Sequence, residues 1–198
     1  MALQFQRILL CIVASVVLAD VMWASLVHFD IDIGAYLTLA ALSATLAGGG
    51  IFYDLVRKDA RLSAMLLATA FLVSFSAGFS VLNYFLLTVA GPRIDLLLAQ
   101  ADTLTGFDWP AMMGFMARHP WPNLVLQIAY VSLLPQIALL IALLGWKARG
   151  EDIFALCLAI CVGAMATVLF WAFFPSFGAF TVYHLDPQIA GRLSLALD

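Results

Sequence analysis

Charged residues are scarce in this sequence: they make up 11% of the 198 residues, whereas 65% of the residues are hydrophobic. Soluble domains carry about a quarter charged residues and about half apolar ones. A soluble core could not bury so much apolar surface, so the composition excludes an ordinary soluble domain. The 9 Lys and Arg residues are scattered and the net charge is -3, which provides no basic patch for nucleic acid. We therefore predict no nucleic-acid partner.

Residues that build metal sites and covalent sites are also few. The three cysteines, Cys11, Cys157 and Cys161, all lie inside apolar runs, where a thiol packs as a small hydrophobic group. The sequence contains no Ser, His and acid set, no glycine-rich phosphate loop and no paired histidines at metal-ligand spacing. We therefore predict no metal site and no cofactor, and the residue chemistry alone identifies no catalytic residue.

Long apolar runs are what the sequence has in abundance. A bilayer core about 30 Å thick requires about 20 apolar residues in a helix, because every backbone amide must bond within the segment. We predict an all-α fold, a polytopic transmembrane helical bundle of about five spans that forms a single membrane domain over residues 1–198. A cleaved signal peptide over 1–24 is an alternative for the first span. The predicted spans are residues 8–27, 34–56, 62–90, 121–146 and 153–174.

Two shorter amphipathic segments lie between the third and fourth predicted spans. In the first segment, apolar residues recur at helical spacing while Asp95 and Asp102 share another face. The second segment starts with Asp108, a residue type favoured just before a helix, and it ends before a proline. We predict interfacial helices at about 93–105 and 109–118, lying at the outer surface of the bilayer.

The distribution of cations predicts the orientation of the chain. Short cytoplasmic loops carry an excess of Lys and Arg, and alternate loops of this sequence carry six such residues against three. The loop with His28, Asp30 and Asp32 has no Lys or Arg and belongs to the outer side. We predict an amino terminus inside and a carboxyl terminus outside, in a bacterial inner membrane. The inner cations are Arg7, Arg57, Lys58, Arg61, Lys147 and Arg149, and the outer ones are Arg93, Arg118 and Arg192.

A few polar residues lie within the predicted spans. Asp20 is an acid in the first span, and an ionisable group in hydrocarbon is costly enough to suggest a function. It could equally pair with a polar neighbour or reach the interface. Together with Asn83, Gln127 and Gln136, Asp20 could line a polar path, so a small transporter or channel subunit is one alternative. A noncatalytic membrane scaffold, in which polar groups only serve packing, is another.

Basic and imidazole side chains gather on the predicted outer side. Arginine and histidine hold phosphate through charge-assisted hydrogen bonds to its oxygens. For the histidines, an ordinary surface position near a proline is a simpler interpretation than phosphate binding. Polar side chains of the fourth predicted span extend the set. The candidate substrate-binding residues are Arg93, Arg118, His119, Tyr130, Gln136 and His184.

A set of residues in the last half of the chain matches a family pattern. The matching residues are Asp102, Gly106, Asp108, Trp109, His119, Pro120, Tyr130, Ser132 and Gln136, followed by Phe174, Pro175, Gly178, Ala179 and Phe180. With them, residues 101–142 resemble the membrane core of the type 2 phosphatidic acid phosphatase superfamily, in its inositol phosphotransferase-like (inositol phosphorylceramide synthase-like) branch. The resemblance implies a membrane protein acting on lipid phosphate esters through a histidine nucleophile that forms a phosphoenzyme, without a metal.

The resemblance does not extend to the catalytic motifs of that family, which include a Pro-Ser-x-His element and a Gly-x-His element. Here Pro175 and Ser176 are followed by Gly178 where the histidine should be, and Tyr183-His184 inverts the later element. We expect the amino-terminal portion of a longer enzyme, catalytically incomplete as given, so enzymatic activity is left open. The expected partners are membrane lipids, including a lipid phosphate substrate for the longer form. The sequence predicts no particular oligomeric state.

Overall fold

The computed structural model describes residues 2–26, 33–87 and 91–184, and all regular elements in these ranges are helical. The predicted loop at His28, Asp30 and Asp32, the cation Arg192 and the carboxyl terminus lie outside the described residues. The helices are α1 (Ala2–Ala24), α2 (Ile33–Phe52) with a π-helical turn (Tyr53–Arg57), α3 (Ala60–Leu87), α4 (Asp95–Thr105), α5 (Trp109–Arg118), α6 (Pro120–Val131), α7 (Leu133–Trp146), α8 (Gly150–Phe173) and a 3-10 turn (Ala179–Thr181).

Several of these helices are long and apolar enough to cross a bilayer. In the described part of the chain, four helices meet that requirement, and a bent pair raises the number to as many as five. The four are Leu3–Ala24, Gly34–Arg57, Ala60–Leu86 and Gly150–Phe173. The chain is therefore an integral membrane protein with an all-α, polytopic fold, which confirms the predicted fold class. α4 and α5 are present where interfacial helices were predicted, and both are too short to span.

The fourth predicted span is not one straight helix, because α6 and α7 meet at Ser132 with a bend of 46°. Pro135 explains the break: it lacks an N–H group, and its ring clashes with the carbonyl four residues earlier, that of Val131. Hydrogen bonds from Ser132 N to Ile128 O (2.9 Å) and from Gln136 N to Ser132 O (2.9 Å) continue the ladder on either side. The predicted span over 121–146 is therefore a bent helix pair, which together is long and apolar enough to count as one span.

Backbone contacts divide the chain into two compact units, Met1–Val89 with Ala138–Phe170 and Ala90–Ile137 with Trp171–Asp198. In the first unit α3 packs against α1 and α2. Trp23 of α1 stacks on Phe85 of α3 with ring centroids 5.8 Å apart, and Phe154 of α8 is buried against Phe71. Aromatic pairs of this kind add to the energy of plain burial, so they fix which helix faces meet.

Polar side chains also join α2 to α3 in the first unit. The hydroxyl of Ser43 donates to the carbonyl oxygen of Ala70 (3.1 Å) and lies 2.5 Å from Ser74 Oγ. Nearer the other end, Tyr36 Oη and Ser80 Oγ are 2.9 Å apart. Apolar side chains gain little by leaving lipid for a helix interface, so interhelical hydrogen bonds and close packing supply the association energy.

Gly48, Gly78 and Gly163 each lie four residues after another small residue, a spacing that permits close helix approach. At Gly78 a Cβ would lie 3.1 Å from Val16 Cγ1, so α1 and α3 do approach closely there. Among the described residues, nothing lies within 4 Å of a Cβ at Gly48 or Gly163, so the structure shows no close approach at these two glycines. The close approach of α2 is at Gly50 instead, where a Cβ would lie 2.7 Å from Leu67 Cγ.

In the second unit, local capping interactions define where α4 ends and where α5 begins. Gly106 follows α4 with φ of 75°, and the N–H of Phe107 bonds to the carbonyl of Asp102 at 2.9 Å, which closes the helix. Asp108 caps α5 by accepting from the N–H of Ala111 at 2.9 Å, with a proline in the first turn. These caps define the turn between α4 and α5, and Trp109 at the start of α5 stacks on Tyr183 of the segment that follows α8.

Candidate functional site

The best-defined polar arrangement in the second unit is built around Asp95, the first residue of α4. Its Oδ1 atom accepts three hydrogen bonds from the segment after α8: from Ser176 Oγ (2.7 Å), Phe177 N (2.9 Å) and Gly178 N (3.1 Å). The Asp95 side chain is only 7% exposed. We name residues 175–178 the Asp95-bound loop, because one carboxylate oxygen satisfies its donors.

Local geometry explains why this loop can wrap around one carboxylate. Gly178 has a φ of 100°, a conformation that side-chain-bearing residues rarely adopt, and the turn therefore needs glycine at this point. The N–H of Ile94 bonds to the carbonyl of Pro175 at 3.0 Å, and Trp171 Nε1 donates to the carbonyl of Ser176 at 3.1 Å. The loop is thus held from both sides, by the start of α4 and by the last turn of α8.

The electrostatics of Asp95 keep its carboxylate ionised. The hydrogen bond from Ser176 lowers the pKa of Asp95 below its ordinary value of 3.8, helped by the backbone N–H groups of Phe177 and Gly178 and by the charge of Arg93. Burial acts in the opposite direction but does not prevail. The second oxygen, Oδ2, is buried and has no hydrogen-bond partner among the described residues. One half of the carboxylate is therefore satisfied, while the other is an unused acceptor.

A cavity of about 220 Å³ lies against this carboxylate. It is lined by a second acid, Asp102, which lies two helical turns further along α4, and by side chains of the 3-10 turn region. No salt bridge within the described ranges reaches Asp102. The lining residues are Asp95, Leu98, Ala99, Asp102, Ser176, Gly178, Ala179, Val182 and Tyr183. The cavity thus combines two carboxylates with a mostly apolar wall.

Tyr183 also borders a second, more open cavity of about 380 Å³, at the turn between α4 and α5. Trp109 lies in the wall of that cavity and stacks on Tyr183, with ring centroids 5.7 Å apart and an angle of 17° between the planes. Asp108, the cap of α5, lines the same cavity. Tyr183 therefore lines both cavities, and each cavity has at least one carboxylate in its wall.

The predicted candidate Arg93 lies next to this arrangement. Its guanidinium carbon is 4.0 Å from the centroid of the Phe177 ring, a cation–π contact with the Asp95-bound loop. The Arg93 side chain is exposed. A guanidinium that rests flat on a ring keeps its N–H donors available at the edge, so this residue could still hold a phosphate oxygen.

The candidates Arg118 and His119 lie at the junction of α5 and α6, and both are exposed. His119 stacks on Phe115 with centroids 4.2 Å apart, and its Nδ1 lies 3.0 Å from the Phe115 carbonyl oxygen, which fixes the ring orientation. Among the contacts of the described residues, none joins Arg93 to Arg118 or His119. The structure therefore gives two separate cationic positions on the second unit.

The remaining candidates are exposed and dispersed along the second unit. The Tyr130 side chain is 85% exposed, and Gln136 donates from Nε2 to Ser132 Oγ at 2.6 Å within the bent pair. Ser132 and Gln136 are thus paired locally, one helical turn apart. His184 is exposed and follows Tyr183. A substrate-binding role for all six candidates stays a prediction.

Asp20 occupies a different kind of position, inside the first unit. Its side chain is only 9% exposed, and a Cβ at Gly78 would lie 3.4 Å from Oδ2. Its Oδ1 has no hydrogen-bond partner among the described residues. The geometry therefore places a buried acid at the contact between α1 and α3.

The sequence alone did not predict the Asp95-bound loop. Asp95 and Ser176 are separated by 81 positions, and no periodicity connects residues so far apart. Two local signals were available: the shared face of Asp95 and Asp102 on one helix, and the turn-forming residues Ser176 and Gly178 just after a span.

Comparison with known families finds one match in this part of the chain. Residues 96–193 match a family model described as the PAP2 superfamily. The matched segment begins directly after Asp95 and includes α5, the bent pair, α8 and the 3-10 turn. No curated protein and no solved structure matches the chain.

Proposed function

Because residues 96–193 match the model of the PAP2 superfamily, we propose that the chain is a membrane protein of that superfamily that binds phosphate esters of lipids, of the inositol phosphotransferase-like kind. It forms one membrane domain in a bacterial inner membrane, with the amino terminus inside and the binding residues on the outer side. The superfamily's histidine elements named above do not occur in the 198 residues. We therefore propose that these residues bind a lipid phosphate without turning it over.

The single observation that carries this proposal is the extent of the family match. It includes five of the six candidate binding residues, and Arg93 lies just before it. Arg93 also has a defined position, because Phe177 holds its guanidinium beside the Asp95-bound loop. An arginine that is held in place loses less conformational entropy on binding a phosphate than a free one.

The test is the affinity of the full chain, purified in an uncharged detergent, for phosphatidic acid compared with diacylglycerol, which lacks the phosphate. We expect preference for phosphatidic acid, and we expect Arg93→Gln to weaken it about three- to tenfold, the effect of one partly exposed charge-assisted hydrogen bond. Arg93→Lys should retain part of the affinity. The matched control is Arg57→Gln, an exposed arginine of the other unit, which should leave binding unchanged. Equal affinity of wild type and Arg93→Gln would overturn the proposal.

A further inference from the structure

The acidic cavity beside Asp95 is unsuited to the phosphate of the proposed function. A phosphate is an anion, and two carboxylates in the lining would repel it. The Asp95 side chain is more than nine-tenths buried, and its Oδ2 has no hydrogen-bond partner in the described ranges. A buried carboxylate oxygen without a donor is costly. The site therefore requires a ligand that supplies a positive charge or hydrogen-bond donors.

The other residues that line the cavity indicate the chemical class of that ligand. Leu98, Ala99 and Val182 give the cavity an apolar wall, and Tyr183 adds an aromatic ring that is held in place by stacking on Trp109. Aromatic rings attract organic cations through their negative faces, and an apolar wall suits alkyl substituents on such a cation. A hydrated metal ion would gain nothing from these surfaces. The described residues also contain no cluster of three or more His, Cys, Asp or Glu side chains that could hold a metal ion.

The geometry points to an organic ammonium site in the 220 Å³ cavity, with Asp95 and Asp102 as counter-charges and Tyr183 as the ring that faces the cation. The volume suits a small group, since cavities for drug-sized molecules are about 300–1,000 Å³. Ethanolamine and choline carry such ammonium groups, either free or as lipid headgroups. The site is independent of the lipid phosphate proposal, because it needs no phosphate.

For a lipid ligand, Arg93 links the proposed phosphate site to the ammonium site in the cavity. It lies close enough to Asp95 for its charge to act on that carboxyl group. A zwitterionic headgroup has an ammonium and a phosphate separated by two carbons. Its ammonium could enter the cavity while its phosphate stays at Arg93, whereas free choline or ethanolamine would use the cavity alone.

The test measures binding of tetramethylammonium and choline to the full chain in an uncharged detergent by isothermal titration calorimetry. The matched ligand is 3,3-dimethylbutanol, which has the shape of choline without the charge. We expect binding of the two cations, at least about tenfold weaker binding of the alcohol, and about tenfold weaker choline binding by Asp102→Asn and by Tyr183→Leu. Tyr183→Phe should keep the affinity. Among the hydrogen bonds of the described residues, none joins the Asp102 side chain to the Asp95-bound loop, so its substitution tests charge without loosening the loop.

The control variant is Asp54→Asn, which removes one exposed acid of the other unit and should leave choline binding unchanged.

A second experiment adds phosphatidylethanolamine or phosphatidylglycerol to the choline-bound protein. Displacement only by phosphatidylethanolamine identifies a lipid headgroup as the source, and no displacement by either lipid identifies a free ammonium compound. Both results support the site. Equal binding of choline and the alcohol, displacement of choline by potassium chloride at equal concentration, or unchanged affinity in Asp102→Asn and Tyr183→Leu would overturn it. Loss of phosphatidic acid binding alone would not overturn the ammonium site, because that result concerns only the lipid phosphate proposal.

Discussion

At the scale of single residues, Asp95 illustrates how one side chain can organise a segment far away in the sequence. Its Oδ1 accepts from the hydroxyl and two backbone N–H groups of the Asp95-bound loop. Those backbone donors have no partner in a helix, because α8 ends at Phe173. Without the carboxylate, the Phe177 N–H would lose its acceptor and the Gly178 N–H would keep only a long bond to Ser176 Oγ (3.4 Å), so the fold of the loop depends on the charge state of Asp95.

This dependence predicts a pH effect. The pKa of Asp95 is lower in the folded chain than its ordinary value of 3.8. The carboxylate therefore contributes stability that is fully present above that ordinary value and is lost as the pH falls below it, towards the lowered pKa. We expect Asp95→Asn to lower the melting temperature at neutral pH. The difference from wild type should shrink as the pH falls below 3.8, in melting curves recorded in detergent.

Asp54→Asn is the appropriate comparison, since it removes an exposed acid that makes no hydrogen bond among those of the described side chains. It should leave the melting temperature close to that of wild type at all pH values. A difference between Asp95→Asn and wild type that stays constant through this acidic range would mean that the ionised carboxylate does not hold the loop.

At the scale of helices, the run Gly48, Gly49 and Gly50 in α2 shows that neighbouring glycines can have different roles. A Cβ at Gly50 would lie 2.7 Å from Leu67 Cγ and 3.2 Å from the backbone nitrogen of Leu67. A Cβ at Gly48 would meet nothing within 4 Å. Only Gly50 is therefore required for the contact of α2 with α3, because the backbone of α3 cannot move away as a side chain could.

We expect Gly50→Ala to destabilise the chain by about 1–3 kcal/mol, the usual cost of overfilling a packed contact. Gly48→Ala should be neutral or stabilise by up to about 1 kcal/mol, because alanine favours the helix more than glycine does. Unfolding of both variants by added dodecyl sulfate in mixed micelles measures the difference. If Gly50→Ala unfolds at the same detergent fraction as Gly48→Ala, the close contact between α2 and α3 is not as described.

At the scale of the whole molecule, the sequence was sufficient for the fold class and for the helix ends with local signals. Apolar runs predict the spans because the bilayer sets their length, and Asp108 predicts the start of α5 because capping is local. Pro135 predicts the break near Ser132, because a proline inside a helix interrupts the hydrogen-bond ladder. The Asp95-bound loop could not be predicted, since it joins α4 to a segment 81 positions away through tertiary contacts.

The histidines give the prediction that concerns the molecule as a whole. Phosphoryl transfer through a histidine requires a nucleophilic imidazole together with a second group that donates or removes a proton. His119 has its Nδ1 at the Phe115 carbonyl oxygen and its ring on Phe115, and His184 is exposed. No contact within the described ranges pairs either imidazole with an acid or with the other imidazole.

We therefore expect the chain in detergent to release no more phosphate from phosphatidic acid than a preparation from cells with the empty vector. His119→Ala and His184→Ala should leave that background unchanged, because neither imidazole contacts such a partner among the residues that the structure describes. Release above the vector control that either substitution abolishes would show instead that the chain assembles a catalytic histidine.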